Sequence, residues 1–83
     1  MLKIYGSMMC PDCVKCCADL DREGVDYDFL DFADSLINLK EFLVLREHTI
    51  FNEVKASGAI GIPCIVREDG SLTLDWSEYV SQG

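Results

Sequence analysis

Basic residues are scarce in this chain: seven lysines and arginines stand against 15 aspartates and glutamates, and the formal net charge is −8. A protein that binds nucleic acid usually presents clustered basic side chains to the phosphate backbone. The composition therefore argues against a nucleic-acid partner. The acidic excess favours solubility, and it would repel an anionic partner such as glutathione unless a local positive field offset it.

Long apolar runs are also missing. No stretch of 18 apolar residues occurs, so the sequence predicts no membrane-spanning helix. The first six residues lack the long apolar segment of a secretory signal peptide. We therefore expect a cytoplasmic protein that does not contact a membrane.

Linkers, internal repeats and low-complexity tracts do not occur in the 83 residues. A chain of this length buries only about 60–65% of its unfolded surface, which is near the lower limit for independent folding. Hydrophobic residues nevertheless make up 49% of the sequence, enough for a packed core. We predict one domain over residues 1–83, and a monomer.

The order of hydrophobic patterns predicts an α/β fold with the order β-α-β-α-β-β. Alternating or continuous apolar residues indicate strands at residues 2–5, 25–30 and 62–66. Helical spacing predicts a first helix over residues 11–22, stopped by Gly24, and a second that begins at Asp34 or Ser35 and fades near residues 47–49. A shorter helical turn, with Phe51 and Val54 facing inward, ends near residue 58.

The C-terminal part reads as a hairpin. Asp69-Gly70 is a strong turn signal, and alternation predicts a return strand through Leu72, Leu74 and Trp76. Residues 77–82 are expected to form a short terminal turn of helix or a frayed end. Together these elements predict a mixed sheet covered by helices. The apolar face of the first helix is predicted to comprise Val14, Cys17, Ala18 and Leu20.

Five cysteines are present, and four of them fall within eight residues. The count is odd, and no export signal accompanies it, so a disulfide scaffold is not indicated. In a reducing compartment, clustered cysteines usually serve catalysis or metal binding. The cysteines are therefore the first indication of function.

Cys10 and Cys13 lie three residues apart at the predicted start of the first helix, with Pro11 at a position that needs no N–H donor. Helical neighbours at this spacing are close enough for a disulfide after a modest adjustment. At the N-cap, Cys10 would face free backbone N–H groups and the positive end of the helix dipole, which favour the attacking thiolate. Cys13, one turn further, should be more buried and suited to resolving a mixed disulfide. Asp12 disfavours the thiolate, so we expect a reductant or a modest oxidant.

Three segments resemble the glutaredoxin branch of the thioredoxin-like proteins: Leu-Lys-Ile-Tyr-Gly at residues 2–6, Cys-Pro-Asp-Cys at residues 10–13, and Gly-Ile-Pro at residues 61–63. The resemblance implies a thioredoxin-like fold with a short or missing C-terminal helix. It implies a cis Ile62–Pro63 bond beside the thiols, and pairing of the Ile62 backbone with an extended substrate. Pro11, Asp12, Ile62 and Pro63 are the expected substrate-binding residues.

The resemblance also implies the reaction, which is the reduction of protein or glutathione mixed disulfides without an organic cofactor. Glutathione or a thioredoxin-reductase-type donor would then return the pair to its reduced form. The sequence departs from the usual glutaredoxin pattern at Ser7, where a lysine is common, and at Asp12, where an aromatic is common. Asp75-Trp76-Ser77-Glu78 stands where a Gly-Gly-Asp segment usually holds glutathione, so glutathione binding stays open.

The other three cysteines are candidate auxiliary thiols. We expect Cys17 in the core, Cys16 more exposed, and Cys64 near the site through its backbone. Strand alternation leaves open whether the Cys64 side chain faces the site or the other side of the sheet. One alternative is a zinc or iron–sulfur module, or a metal-delivery module, that uses Cys10, Cys13, Cys64 and Cys17. A second alternative is a binding domain that kept the fold but lost turnover.

Overall fold

The computed structural model describes residues 1–81, which form a four-stranded mixed sheet with helices on both faces. The strands are β1 (Leu2–Gly6), β2 (Tyr27–Asp31), β3 (Cys64–Val66) and β4 (Leu72–Thr73). Their order in the sheet is β2-β1-β3-β4. β1 runs parallel to β2 and antiparallel to β3, which pairs antiparallel with β4. The predicted α/β class and mixed sheet are confirmed.

The first helix, α1 (Pro11–Arg22), has the predicted bounds. Pro11 starts it because its fixed φ suits the first helical turn, and Gly24 ends it with a φ of +70°, a conformation that favours glycine. The predicted apolar face is partly wrong: Val14 and Ala18 are exposed. The buried stripe instead contains Cys13, Cys16, Cys17, Asp19 and Leu20.

The second helix, α2 (Leu36–Leu45), begins after Ser35, whose hydroxyl accepts a hydrogen bond from the Ile37 N–H at 3.1 Å. This is one of the two predicted caps. A 3₁₀ turn at Thr49–Phe51 leads into the short α3 (Asn52–Ala56). Phe42 and Phe51 bury their rings here in an edge-to-face pair, with centroids 5.8 Å apart.

The sheet separates two hydrophobic cores. On the α1 side, Ile4 and Ile65 pack with Cys16 and Leu20. On the α2–α3 side, Tyr5, Cys64, Phe42 and Phe51 pack together. Successive strand residues point to opposite faces, so Ile4 and Tyr5, like Cys64 and Ile65, divide between the two cores.

The return strand is shorter than predicted. β4 ends at Thr73, and Trp76 starts a 3₁₀ turn at Trp76–Tyr79 instead of continuing the strand. The Trp76 indole N–H donates to Asp19 Oδ2 on α1 at 2.9 Å, which draws the chain across the α1 face. The predicted terminal turn is thus present as this 3₁₀ turn, while residue 82 lies outside the described part. None of the helices within residues 1–81 has the length and apolar character to cross a bilayer.

Candidate active site

The loop between β1 and α1 positions Cys10 through its own backbone. The Cys10 N–H donates to the Ser7 carbonyl at 3.0 Å, and the Met9 N–H donates to Ser7 Oγ at 3.1 Å. Cys10 is the N-cap of α1 in an extended conformation, and its carbonyl accepts the Val14 N–H. Its side chain makes no capping bond in the described structure. The half-exposed thiol is therefore free to meet a partner from solvent.

Cys13 lies behind Cys10 and has no solvent exposure, as predicted. Burial raises the pKa of the Cys13 thiol to about 12, and the hydrogen bond to Cys10 acts in the same direction, while the Ser7 N–H opposes it. The raised pKa favours the protonated form of Cys13 over the thiolate. One half-exposed and one buried thiol form a pair of unequal reactivity.

Gly6 makes room for the buried sulfur. A Cβ at this position would lie 2.6 Å from Cys13 Sγ, so a side chain here would force the sulfur or the strand to shift. Gly6 is the last residue of β1, and it pairs with Asp31 of β2. Glycine at the end of β1, one of the two inner strands, therefore lets α1 approach the sheet closely at the dithiol.

The Ile62–Pro63 bond is cis, as the resemblance implied. Tyr5 pairs with Cys64 in the antiparallel β1–β3 ladder, so one further step of the register places Pro63 opposite Gly6. The sheet thus brings this loop to the same end as Cys10 and Cys13. Pro63 is buried and Ile62 half-buried, whereas Pro11 and Asp12 are exposed at the start of α1.

Arg46, which the sequence analysis did not single out, holds the chain that leads to this loop. Its Nε donates to the Ile60 carbonyl and its Nη2 to the Ala59 carbonyl, each at 2.8 Å. Gly61 packs against the Phe51 ring with a φ of +94°. A cation at a helix C-terminus is expected to bond that helix's own carbonyls, so no sequence signal indicates this long-range contact.

The prediction that Cys16 is more exposed is wrong. Its side chain has no exposure and packs with Ile4, Leu20 and Ile65, because the α1 stripe that meets the sheet is rotated from the predicted one. Burial raises the pKa of the Cys16 thiol to about 12. Cys17 is buried, as predicted. Burial raises the pKa of its thiol, and a hydrogen bond from Tyr27 acts in the opposite direction without cancelling the shift.

Cys64 is turned away from the dithiol. Its side chain is buried in the core on the α2–α3 side, and burial raises the pKa of the thiol to about 12. The sheet therefore lies between Cys64 and the thiols of α1. Within residues 1–81, no three or more histidine, cysteine, aspartate or glutamate side chains gather in a group that could hold a metal ion.

These features define a small α/β protein with a Cys-x-x-Cys pair at the N-terminus of its first helix. No family model and no solved structure matches the chain. The sequence is 44% identical over 76 residues to an uncharacterized protein of Haemophilus influenzae, and the match covers 90% of this chain and 88% of that protein. The chain belongs to the same family as this Haemophilus protein.

Proposed function

We propose that this protein is a cytoplasmic, monomeric thiol–disulfide oxidoreductase with a glutaredoxin-like version of the thioredoxin fold. The observation that carries the proposal is the unequal pair: half-exposed Cys10 at a helix N-cap, with fully buried Cys13 three residues further along the same helix. The sheet order β2-β1-β3-β4, with helices on both faces and Pro63 level with Gly6, supports the fold assignment.

In the first step, the Cys10 thiolate attacks one sulfur of a substrate disulfide. A new bond forms between Cys10 and that sulfur, the substrate S–S bond breaks, and the other substrate sulfur leaves as a thiolate that takes up a proton. Cys10 is the attacking group because its sulfur is accessible, whereas the Cys13 sulfur is enclosed by Gly6 and the helix. In this proposal the substrate would contact exposed Pro11 and Asp12, half-buried Ile62, and the loop that contains buried Pro63.

In the second step, Cys13 loses its proton and attacks the Cys10 sulfur. The mixed disulfide breaks, the second substrate sulfur leaves as a thiol, and a Cys10–Cys13 disulfide remains. Two electrons have passed from the pair to the substrate. An external thiol donor, either glutathione or a reductase-type dithiol, reduces the pair again. The thiols supply both electrons, so the reaction requires neither a metal nor an organic cofactor.

The test is a turnover assay with a small neutral disulfide and dithiothreitol as the donor. Cys10→Ser is expected to abolish exchange. When reduced Cys13→Ser is mixed with the disulfide and the donor is left out, a mixed disulfide should accumulate on Cys10, which intact mass and peptide mapping detect. Cys16→Ala is the matched control, since it removes another buried thiol of α1 outside the pair. An active Cys10→Ser protein would refute the assignment of roles. Metal that shields several cysteines from alkylation would support the metal-binding alternative instead.

A further inference from the structure

The surface next to Cys10 is apolar. Met9 is 91% exposed, Met8 46% and Val14 48%. Met8 and Met9 immediately precede Cys10, and Val14 is its helical neighbour, with its N–H bonded to the Cys10 carbonyl. We call these three residues the Met8–Met9–Val14 patch. Flexible methionines suit a surface that must fit apolar side chains of varied shape.

Carboxylates stand around this patch. Asp12 is exposed in the first turn of α1. Asp31, at the end of β2, accepts hydrogen bonds from the N–H groups of Met8 at 3.4 Å and Ala33 at 2.9 Å. Asp34 follows three residues later and is exposed. The charge at this end of the sheet is therefore negative.

Two basic side chains near this end of the sheet are held by contacts with other groups. Lys15, the basic residue closest to Cys10 along the chain, lies 3.3 Å from Asp19 Oδ2. Arg46, which reaches the chain before Ile62, uses its guanidinium on two backbone carbonyls. Residues 7–14, the segment around Cys10, contain no basic residue, so an anionic disulfide arriving there would meet the carboxylates of Asp12 and Asp31.

From this arrangement we propose that the substrate is a disulfide within a polypeptide, flanked by apolar side chains and by lysine or arginine, and that glutathione disulfide is a poor substrate. The inference rests on the proposed function and names its substrate class. The apolar flank would cover the Met8–Met9–Val14 patch, and the basic side chain would face Asp12 and Asp31. Attack by Cys10 and release by Cys13 follow the electron balance given above.

The test compares disulfide-linked peptides that differ only in the residues beside cysteine, with dithiothreitol as the donor. One peptide has leucine and lysine flanks, a second leucine and glutamate, and a third serine and lysine. At low salt, kcat/KM is expected to be about ten-fold higher for the lysine peptide than for its glutamate twin, and the gap should close in about 0.5 M NaCl. Leucine should exceed serine by about five-fold.

Two variants locate the selectivity. In Met9→Ser, the ratio of kcat/KM for the leucine–lysine peptide to that for a small neutral disulfide is expected to fall about five-fold. In Asp12→Asn, the preference for lysine over glutamate should fall about two- to three-fold, the effect of one exposed charge at several ångströms. Val44→Ser is the matched control, because Val44 is a 74% exposed apolar side chain on α2, and both ratios should equal those of the wild type.

The outcomes separate the inference from the function beneath it. Glutathione disulfide reduced as fast as the leucine–lysine peptide, or peptide selectivity unchanged in Met9→Ser and Asp12→Asn, would overturn the inference and leave the oxidoreductase assignment in place. If even the small neutral disulfide were reduced no faster than by Cys10→Ser, the proposed function would fail and the inference with it.

Discussion

Replacing Gly6 by alanine perturbs the dithiol from the sheet side. The added Cβ would lie 2.6 Å from Cys13 Sγ, whereas relaxed contacts are about 3.5–4.0 Å, so the two atoms must separate by about 1 Å. β1 cannot easily retreat, because β2 and β3 pair with it on both sides. We therefore expect Cys13 and the first turn of α1 to move.

The free energy of unfolding follows from this contact. Overpacking of a core costs about 1–3 kcal/mol. Gly6 is not among the glycines with positive φ, so alanine adds no backbone strain there and returns about 0.4–1 kcal/mol by restricting the unfolded chain. The difference leaves a net loss between about 0 and 2.5 kcal/mol, centred near 1 kcal/mol. The same displacement should slow closure of the Cys10–Cys13 disulfide.

A double-mutant cycle tests the cause. Cys13→Ala alone removes one buried sulfur and should cost about 1 kcal/mol, but in Gly6→Ala it also relieves the clash. The double variant should therefore be more stable than the sum of the single effects predicts, with a coupling of about 1–2 kcal/mol. Urea unfolding followed by circular dichroism, with a phosphine reductant present, measures all four proteins. Additive losses would refute the close approach of Gly6 and Cys13.

Three further predictions concern the molecule around the site. Burial raises the pKa of the Cys13, Cys16 and Cys64 thiols from 9.0 to about 12; their stabilising contribution is complete below about pH 9 and is lost as pH rises toward the folded-state values. The free energy of unfolding of the reduced protein, measured in urea, should fall by about 1.4 kcal/mol per buried thiol between about pH 8 and pH 10. Equal free energies of unfolding at the two pH values would contradict this. Arg46→Leu should speed amide hydrogen exchange at residues 59–62 and lower the free energy of unfolding by about 1 kcal/mol. Arg46→Lys should restore the slow exchange only in part, since an ammonium lacks the planar guanidinium fork. Unchanged exchange in Arg46→Leu would exclude the anchoring role. Trp76→Phe removes the indole donor that contributes most to lowering the Asp19 pKa. The thermal midpoint of this variant should lie below that of the wild type at neutral pH, and the difference should shrink as pH falls and Asp19 is protonated. A difference that does not change with pH would indicate lost packing alone.

Local sequence patterns predicted most elements because the forces behind them act over a few residues. Pro11 and Gly24 bound α1, and Ser35 caps α2, by backbone geometry and short-range hydrogen bonds. The spacing of Cys10 and Cys13 relative to the helix start follows from the same local geometry. The hairpin turn at Gly70, with a φ of +89°, belongs to this class as well.

Contacts between distant segments could not be predicted in the same way. The exposure of Cys16 depends on how α1 is rotated about its axis, and one stripe of that helix contains both polar and apolar residues. Trp76 does not continue the predicted strand, because its indole N–H donates to Asp19, 57 residues away in the sequence. Arg46 reaches carbonyls that are 13 and 14 residues distant. Alternation and helical spacing carry no information about such pairings.

The sequence by itself determined where α1 begins and that two thiols stand one helical turn apart at that point, because turn chemistry and helix periodicity are local properties. Only the tertiary structure decided that the Cys13 sulfur is buried close to Gly6, and that Cys64 lies on the opposite face of the sheet. The strand register likewise decided that Pro63 lies opposite Gly6, at the end of the sheet where Cys10 and Cys13 lie. Those three facts follow from strand register and helix packing, which minimise exposed apolar area over the whole domain rather than within any one segment.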